Sequence, residues 1–203
     1  MIALVVMASY LIGAVPCGIV VARLHSGIDI RAYGSGNIGF ANMLRTLGAR
    51  AAAIVFVADI AKGVVPVLLA KLLIGSPLSE MAAGLAAVIG HNWSVYIKFR
   101  GGRGVDTGIG ALLAMSPGVA LACFAVFGLT LAIFRYISLG SIMGAIAAFA
   151  FMLPLALMGW QPIEYFIYAS VAALIIIIQH RANIARLRAG KERKIGQRGE
   201  RRT

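Results

Sequence analysis

Charge is scarce in this sequence: 13% of its 203 residues are Asp, Glu, Lys or Arg, whereas 61% are hydrophobic. A soluble domain carries about 25% charged residues. So few polar groups cannot cover a globule in water, which excludes a soluble fold and makes lipid the solvent. Acids are rarer still, with 7 Asp and Glu against 19 Lys and Arg and a net charge of +12. No separate soluble domain exists to carry nucleic-acid binding, so the basic excess reads as cytoplasmic loops facing anionic headgroups, and no nucleic-acid partner is expected. The shortage of carboxylates argues against a two-metal or Mg²⁺-dependent phosphotransferase, which needs several converging acids. Cys17 and Cys123, the only two cysteines, both lie in apolar runs, where neither a disulfide framework nor a tetrahedral metal site can be built from them. No metal and no cofactor are expected. A Walker A loop, an internal repeat and a cleavable signal peptide are also lacking.

Long apolar runs are what the sequence has instead. They lie near Met1 to Leu24, Ala51 to Ile74, Met81 to Ile97, Val105 to Phe134, Ile137 to Trp160 and Ile163 to Gln179, each long enough to cross about 30 Å of hydrocarbon at 1.5 Å per residue. The fourth run contains Met115-Ser116-Pro117-Gly118, which divides it into a short helix and a full one. Parity decides between six spans and seven. The tail from Arg181 onward is strongly basic and belongs inside by the positive-inside rule. Six spans would leave Arg23, Arg31, Arg45, Arg50, Lys98, Arg100 and Arg103 outside; seven bring them all in. The expectation is therefore an all-α integral membrane protein with seven transmembrane helices, N-terminus out and C-terminus in. Residues 1–190 form one membrane domain with three cytoplasmic motif loops, and 191–203 a basic cytoplasmic tail that reads as a solvated arm. Glu80 and Glu164 fall at outer helix starts, where a carboxylate suits the helix dipole.

The unusual loops then share the cytoplasmic face. Tyr33-Gly34-Ser35-Gly36-Asn37-Ile38-Gly39 is either a nest turning backbone N–H groups toward an anion or a tight turn before a short amphipathic helix (Met43, Leu44, Leu47) ended by Gly48. Phe99-Arg100-Gly101-Gly102-Arg103-Gly104 opens the short fourth helix. There, backbone donors, guanidinium groups and a helix N-terminus meet the requirements of a phosphate site, or of a basic loop on lipid headgroups. Before it stand His91, Trp93 and Tyr96, whose pattern favours interfacial packing. Near the last span's end, His180 and Asn183 share a helical face while Arg181 points elsewhere. Inside the second span Asp59 and Lys62, also i,i+3, form an ion pair that braces a polar pocket or joins an ion pathway, bracing being favoured. The H-x-x-x-x-D pattern of acyl-CoA-dependent glycerolipid acyltransferases is missing, since His25 and Asp29 are one residue too close and neither His91 nor His180 has an acid five residues on. What remains is a cationic, glycine-rich set with Ser35, His91, His180 and Asn183, able to hold two phosphorylated molecules side by side.

These residues resemble the bacterial membrane glycerol-3-phosphate acyltransferases that use acyl phosphate as donor, over nearly the whole chain to Glu192. The motif S-G-N-I-G-A-T-N appears as Ser35 to Asn42; G-H with F-x-G-G-K-G-x-A-T appears as Gly90-His91 and Phe99 to Thr107; D-x-x-K-G-x-x-P is matched from Asp59 to Pro66 and H-R-x-N-I-x-R-L-x-x-G-x-E from His180 to Glu192. The resemblance implies acyl transfer from acyl phosphate to the 1-hydroxyl of sn-glycerol 3-phosphate, giving lysophosphatidate and phosphate in phospholipid biosynthesis, at the cytoplasmic face of a bacterial inner membrane. It implies catalytic roles for Ser35, His180 and Asn183. Substrate-binding roles fall to Gly36, Asn37, Gly39, Arg45, Lys62, His91, Gly101, Gly102, Arg103, Gly104 and Ser141. Three departures stand out. Phe40-Ala41 replaces Ala-Thr, Arg103 replaces Lys, and Asp106 places a carboxylate three residues from Arg103, where the two are expected to pair. A paralogue with another acceptor or donor is the alternative reading. A small-anion transporter is a further one, though alternating access needs a path to both faces and the motif loops share one.

Overall fold

The computed structural model describes residues 1–197, 200 and 201. Helices α1 (Ile2–Ala14) and α2 (Cys17–Ser26) are one 25-residue apolar stretch broken at Pro16, whose ring removes an N–H and clashes with the preceding turn. The first loop then leads to α3 (Phe40–Leu47), a short helix closed by Gly48 at φ +85°. After α4 (Ala49–Leu73), α5 (Pro77–Asn92) opens with Ser76 as its N-cap and Pro77 in its first turn, the positions those residues favour. The predicted break in the fourth run is there: α6 (Val105–Met115) has 11 residues and α7 (Pro117–Phe134) has 18. The chain continues through α8 (Ile137–Leu157), α9 (Ile163–Gln179) and α10 (Arg181–Arg188), the last two bent by 59° at His180. Among the described residues there is no strand, only an isolated bridge between Tyr33 and Arg201. Four helices are long and apolar enough to cross a membrane, or five if α9 and α10 are one span. The third apolar run is helical over Pro77–Asn92 and ends short of its predicted limit at Ile97. Polar Asn92 and Ser94 stop it, and Val95–Ile97 is a separate 3₁₀ turn.

Small residues let the helices meet. Gly13 of α1 lies against the backbone of Ala87 and Gly90 of α5 against that of Tyr10, while Gly63 of α4 meets Thr107 and Gly110 of α6 meets Ile60. A Cβ at any of these positions would overlap backbone, and in lipid such close approach is what holds helices together. Buried Val67, Ala111, Leu112, Met152 and Tyr168 form the centre of the core.

The ion pair inside α4 closes the broken first span. Lys62 Nζ lies 2.8 Å from Asp59 Oδ1 and donates to the carbonyl of Val15 at 2.9 Å, while Ser94 Oγ donates to the carbonyl of Ala14. These are carbonyls that the break after α1 leaves without helical partners. Lys62 is thereby committed to bracing and does not line the cavity described below.

Glu80 is in the first turn of α5, but it is buried and accepts a 2.6 Å hydrogen bond from the Tyr165 hydroxyl of α9. Tyr165→Phe keeps the ring and leaves that carboxyl without its donor, a loss of about 1.5–3 kcal/mol. A lowered melting temperature in detergent is the expected result; an unchanged one would show that Glu80 needs no partner.

Candidate active site

Three loops far apart in sequence meet at one end of the bundle around a cavity of ≈ 300 Å³. Its polar wall holds Asn37, Arg45, Arg103, Ser138, His180, Asn183 and Glu192; its apolar shaft runs between phenylalanines of α3, α4 and α7 and small residues of α8 and α9, including Gly140, Gly144, Ala148, Ala169 and Ala173.

The bend at His180 places its imidazole on the cavity wall. Its Nδ1 is 2.8 Å from the carbonyl oxygen of Ile176. A carbonyl only accepts, so Nδ1 carries the proton and Nε2 keeps its lone pair. One turn on, Asn183 Nδ2 donates to Glu192 Oε1 at 2.6 Å while its Oδ1 is buried without a partner, which fixes the amide's orientation and leaves an acceptor available. Arg181 is exposed and, among the described residues, reaches only the carbonyl of Ile178, in keeping with its place on another face.

Glu192 joins this corner together. It accepts from Ser138 Oγ at 2.8 Å, from Asn183, and from Arg186 Nε at 2.6 Å. Burial pushes its carboxyl up, but the hydrogen bonds from Asn183, Ser138 and Arg186 outweigh burial and hold it below the usual range. The tail is therefore not a solvated arm from its start: Glu192 is 8% exposed, because three donors await one carboxylate there.

Arg45, Arg103 and Arg186 share the field of that carboxylate. Burial pushes the Arg103 guanidinium down to about 10, Glu192 opposes the shift, and the neighbouring cations Arg186 and Arg45 reinforce it. Burial lowers Arg45 likewise, with Glu192 opposing and Arg193 and Arg186 adding to it. Three cations around one carboxylate leave an excess of positive charge that a phosphate would relieve. Arg103 does not pair with Asp106. No ion pair forms between them among the described residues, and Asp106 lines the cavity from the first turn of α6. One helical turn brings the two positions close, but Arg103 belongs to the loop before α6 and lies in the field of Glu192 and Arg186.

The glycine loops are built differently from anion nests. Gly101 N–H donates to Asn92 O at 3.1 Å and Gly102 N–H to His91 O at 3.0 Å, so both are used to cap the carbonyl end of α5. Neither glycine lines the cavity, whereas Arg103, Gly104 and His91 do. Gly102 lies against the His91 ring, and a Cβ there would collide with it. In the first loop, Gly36 N–H donates to Tyr33 O and Gly39 N–H to Asn37 Oδ1. Buried Asn42 ties the turn together, accepting from Ser35 N–H at 2.9 Å and sharing its two N–H donors among the carbonyls of Ile30, Tyr33 and Asn37. Asn37 and Gly39 line the cavity; Ser35 and Gly36 do not, and Ser35 Oγ accepts from Asn37 N–H at 3.4 Å. Ser141 lines it with its hydroxyl donated to Ile137 O. Gly102→Ala should therefore lower kcat/KM by about 10²-fold, the cost of moving a site group by about an ångström. Gly128→Ala, where an added Cβ meets nothing within 4 Å, should change nothing. Equal effects would show that the loop tolerates the shift.

The family model described as glycerol-3-phosphate acyltransferase matches residues 3–190. The chain belongs to the glycerol-3-phosphate acyltransferase family. It is 44% identical over 206 residues to glycerol-3-phosphate acyltransferase 3 of Dehalococcoides mccartyi, covering 96% of this chain and 95% of that one. It is 43% identical to glycerol-3-phosphate acyltransferase of Thermoanaerobacter sp., covering 97% of each. Two crystal structures of PlsY (YgiH), an integral membrane glycerol 3-phosphate acyltransferase, share the fold. The glycerol 3-phosphate form superposes with a TM-score of 0.89 at 39% identity over 96% of both chains. The lysophosphatidic acid form gives 0.87 at 38% identity over 96% and 95%.

For a glycerol-3-phosphate acyltransferase read from sequence, the residues missed are Glu192, Ser138 and Asn42. Glu192 and Asn42 stand as the last residues of the fourth and first motifs in chain order, and an acid amid the basic residues at the start of the tail was the available signal. Ser138 stands outside every motif and gave none.

Proposed function

We propose that this acyltransferase moves a fatty acyl group from acyl phosphate to the 1-hydroxyl of sn-glycerol 3-phosphate, with its site open to the cytoplasm of a bacterial inner membrane. The observation that carries the reading is the union of cationic and apolar walls in one cavity that His180 and Asn183 also line. An acyl phosphate has an alkyl chain for the shaft and a phosphate for the arginines.

In this reaction the glycerol hydroxyl oxygen bonds to the acyl carbon and the C–O bond to phosphate breaks. The donor is a mixed anhydride with a good leaving group, so positioning and charge neutralisation suffice. His180 Nε2 takes the hydroxyl proton and the departing phosphate receives it. Asn183 Oδ1 holds a glycerol hydroxyl, Arg45 and Arg103 hold phosphate, and Asn37 at the cavity wall faces the developing oxyanion. Gly104, at the N-terminus of α6, adds the positive end of a helix dipole. His91 walls the chamber behind Arg103; Ser141 and Gly39 shape it. Ser35 supports Asn37 through the loop rather than attacking the donor, since its hydroxyl faces Asn37 N–H. Gly36, Gly101, Gly102 and Lys62 support the same wall from behind.

Seven crossings, N-terminus out, agree with the way the first loop, the α5–α6 loop and the C-terminal segment converge at one end. In a variant without Cys17 and Cys123, single cysteines at Arg50, Arg100 and Arg188 should react from the cytoplasmic side only and one at Leu78 from outside only. External labelling at Arg100 would restore six crossings.

The function itself is tested by supplying labelled glycerol 3-phosphate to purified enzyme with palmitoyl phosphate or palmitoyl-CoA. Lysophosphatidate should form with the first donor only, survive chelation, and be inhibited by inorganic phosphate. Full activity with the thioester alone would exclude the donor, and turnover of another acceptor in place of glycerol 3-phosphate would mark a paralogue.

A further inference from the structure

We infer that the tail just past Glu192 is a positioning strap for Arg45, and so part of the phosphate site in the reaction proposed above. The matched family region ends at residue 190, and nothing in the four motifs reaches beyond Glu192. Yet the chain does not leave the protein there. Arg45 Nη2 donates to the carbonyl of Arg193 at 3.1 Å, and the N–H of Ile195 donates to the carbonyl of Arg135 at 2.8 Å, at the turn between α7 and α8. Farther on, Gly34 N–H donates to Glu200 O at 2.8 Å, beside the Tyr33–Arg201 bridge. Among its described residues, Glu192, Ile195 and Glu200 thus touch α10, the turn between α7 and α8, and the first loop in succession.

Arg45 is the group that gains most. It sits on the last turn of α3 among cations of Arg103, Arg186 and Arg193, so repulsion would turn a free guanidinium outward. Its Nε is buried without a partner, and the Arg193 carbonyl is the one hydrogen-bond acceptor that its guanidinium has among the described residues. A neutral backbone acceptor holds the fork in place without cancelling its charge, leaving the remaining N–H groups for a phosphate. A carboxylate in that position would compete with the substrate.

The test is kinetic. A chain ending at Glu192 should raise the KM for glycerol 3-phosphate about tenfold or more, the size of losing a hydrogen bond to a charged group, with kcat changed by less than about threefold. Arg45→Lys should raise KM in the full-length chain and add little in the truncated one, because the two changes remove the same interaction. Ile195→Pro, which deletes only the N–H anchoring the strap, should shift KM in the same direction in the intact chain and carries the test if the truncated protein is not monodisperse. Arg188→Gln with Lys191→Gln removes exposed charge ahead of Glu192 but none of these contacts and should leave KM unchanged. A truncated enzyme with KM within twofold of the parent, full additivity with Arg45→Lys, or a KM rise in the double glutamine variant would each overturn the strap. Should the parent show no acyl phosphate activity, the reaction fails and not the strap, which glycerol 3-phosphate binding by calorimetry on the same variants then decides.

Discussion

His180→Ala is expected to lower kcat by about 10²-fold or more, the size of losing a positioned general base, with little change in the melting temperature. Asn183→Ala should do the same by removing an acceptor aimed at the glycerol hydroxyl and by releasing Glu192 from one of its donors. Asn183→Asp separates the two roles, since it restores an acceptor but places a second carboxylate against Glu192 and should remain impaired. Arg181→Ala, two residues away on an exposed face, should cost less than about tenfold. Equal losses at positions 180, 181 and 183 would mean a damaged fold rather than a damaged site, and near-normal kcat in His180→Ala would move the base elsewhere, with the departing phosphate first in line.

Arg103→Ala should be nearly inactive, losing about 10²–10³ in kcat/KM as a buried donor to transition-state charge disappears. Arg103→Lys should stay active with a raised KM, because a point cation meets phosphate without the two-pronged geometry of guanidinium. Asp106→Ala should be tolerated or even improve acceptor binding, since Asp106 lines the cavity without an ion pair to Arg103 and its charge would oppose a phosphate. The reverse pattern, with Asp106→Ala inactive and Arg103→Ala active, would make the carboxylate the acceptor-reading group and point to a cationic or neutral acceptor.

The break before Pro117, the short helix ahead of Gly48 and the shared face of His180 and Asn183 were legible from composition and spacing alone. Each depends on local rules: a proline that cannot continue a helix, a glycine that can end one, a 3.6-residue period. What the sequence hid was long-range pairing. The tail looks like a solvated arm because its charges are dense, and only the three donors converging on Glu192 show that its first residues are anchored. Arg103 and Asp106 look like partners because they are three apart, but they form no ion pair, and the guanidinium lies in the field of a carboxylate 89 positions further on. The glycines before Arg103 look like a phosphate nest, and the same glycines are equally what close packing on His91 requires. Spacing cannot separate those two demands.

The central claim is direct transfer between two substrates held in one chamber, with no acyl group on the protein. Purified enzyme mixed with radiolabelled palmitoyl phosphate, quenched in acid within the first turnover and analysed as intact protein, tests it. Label should appear in lysophosphatidate only after glycerol 3-phosphate is added, and none on the protein before. A stoichiometric burst of acylated protein, mapped to Ser35, would contradict the account.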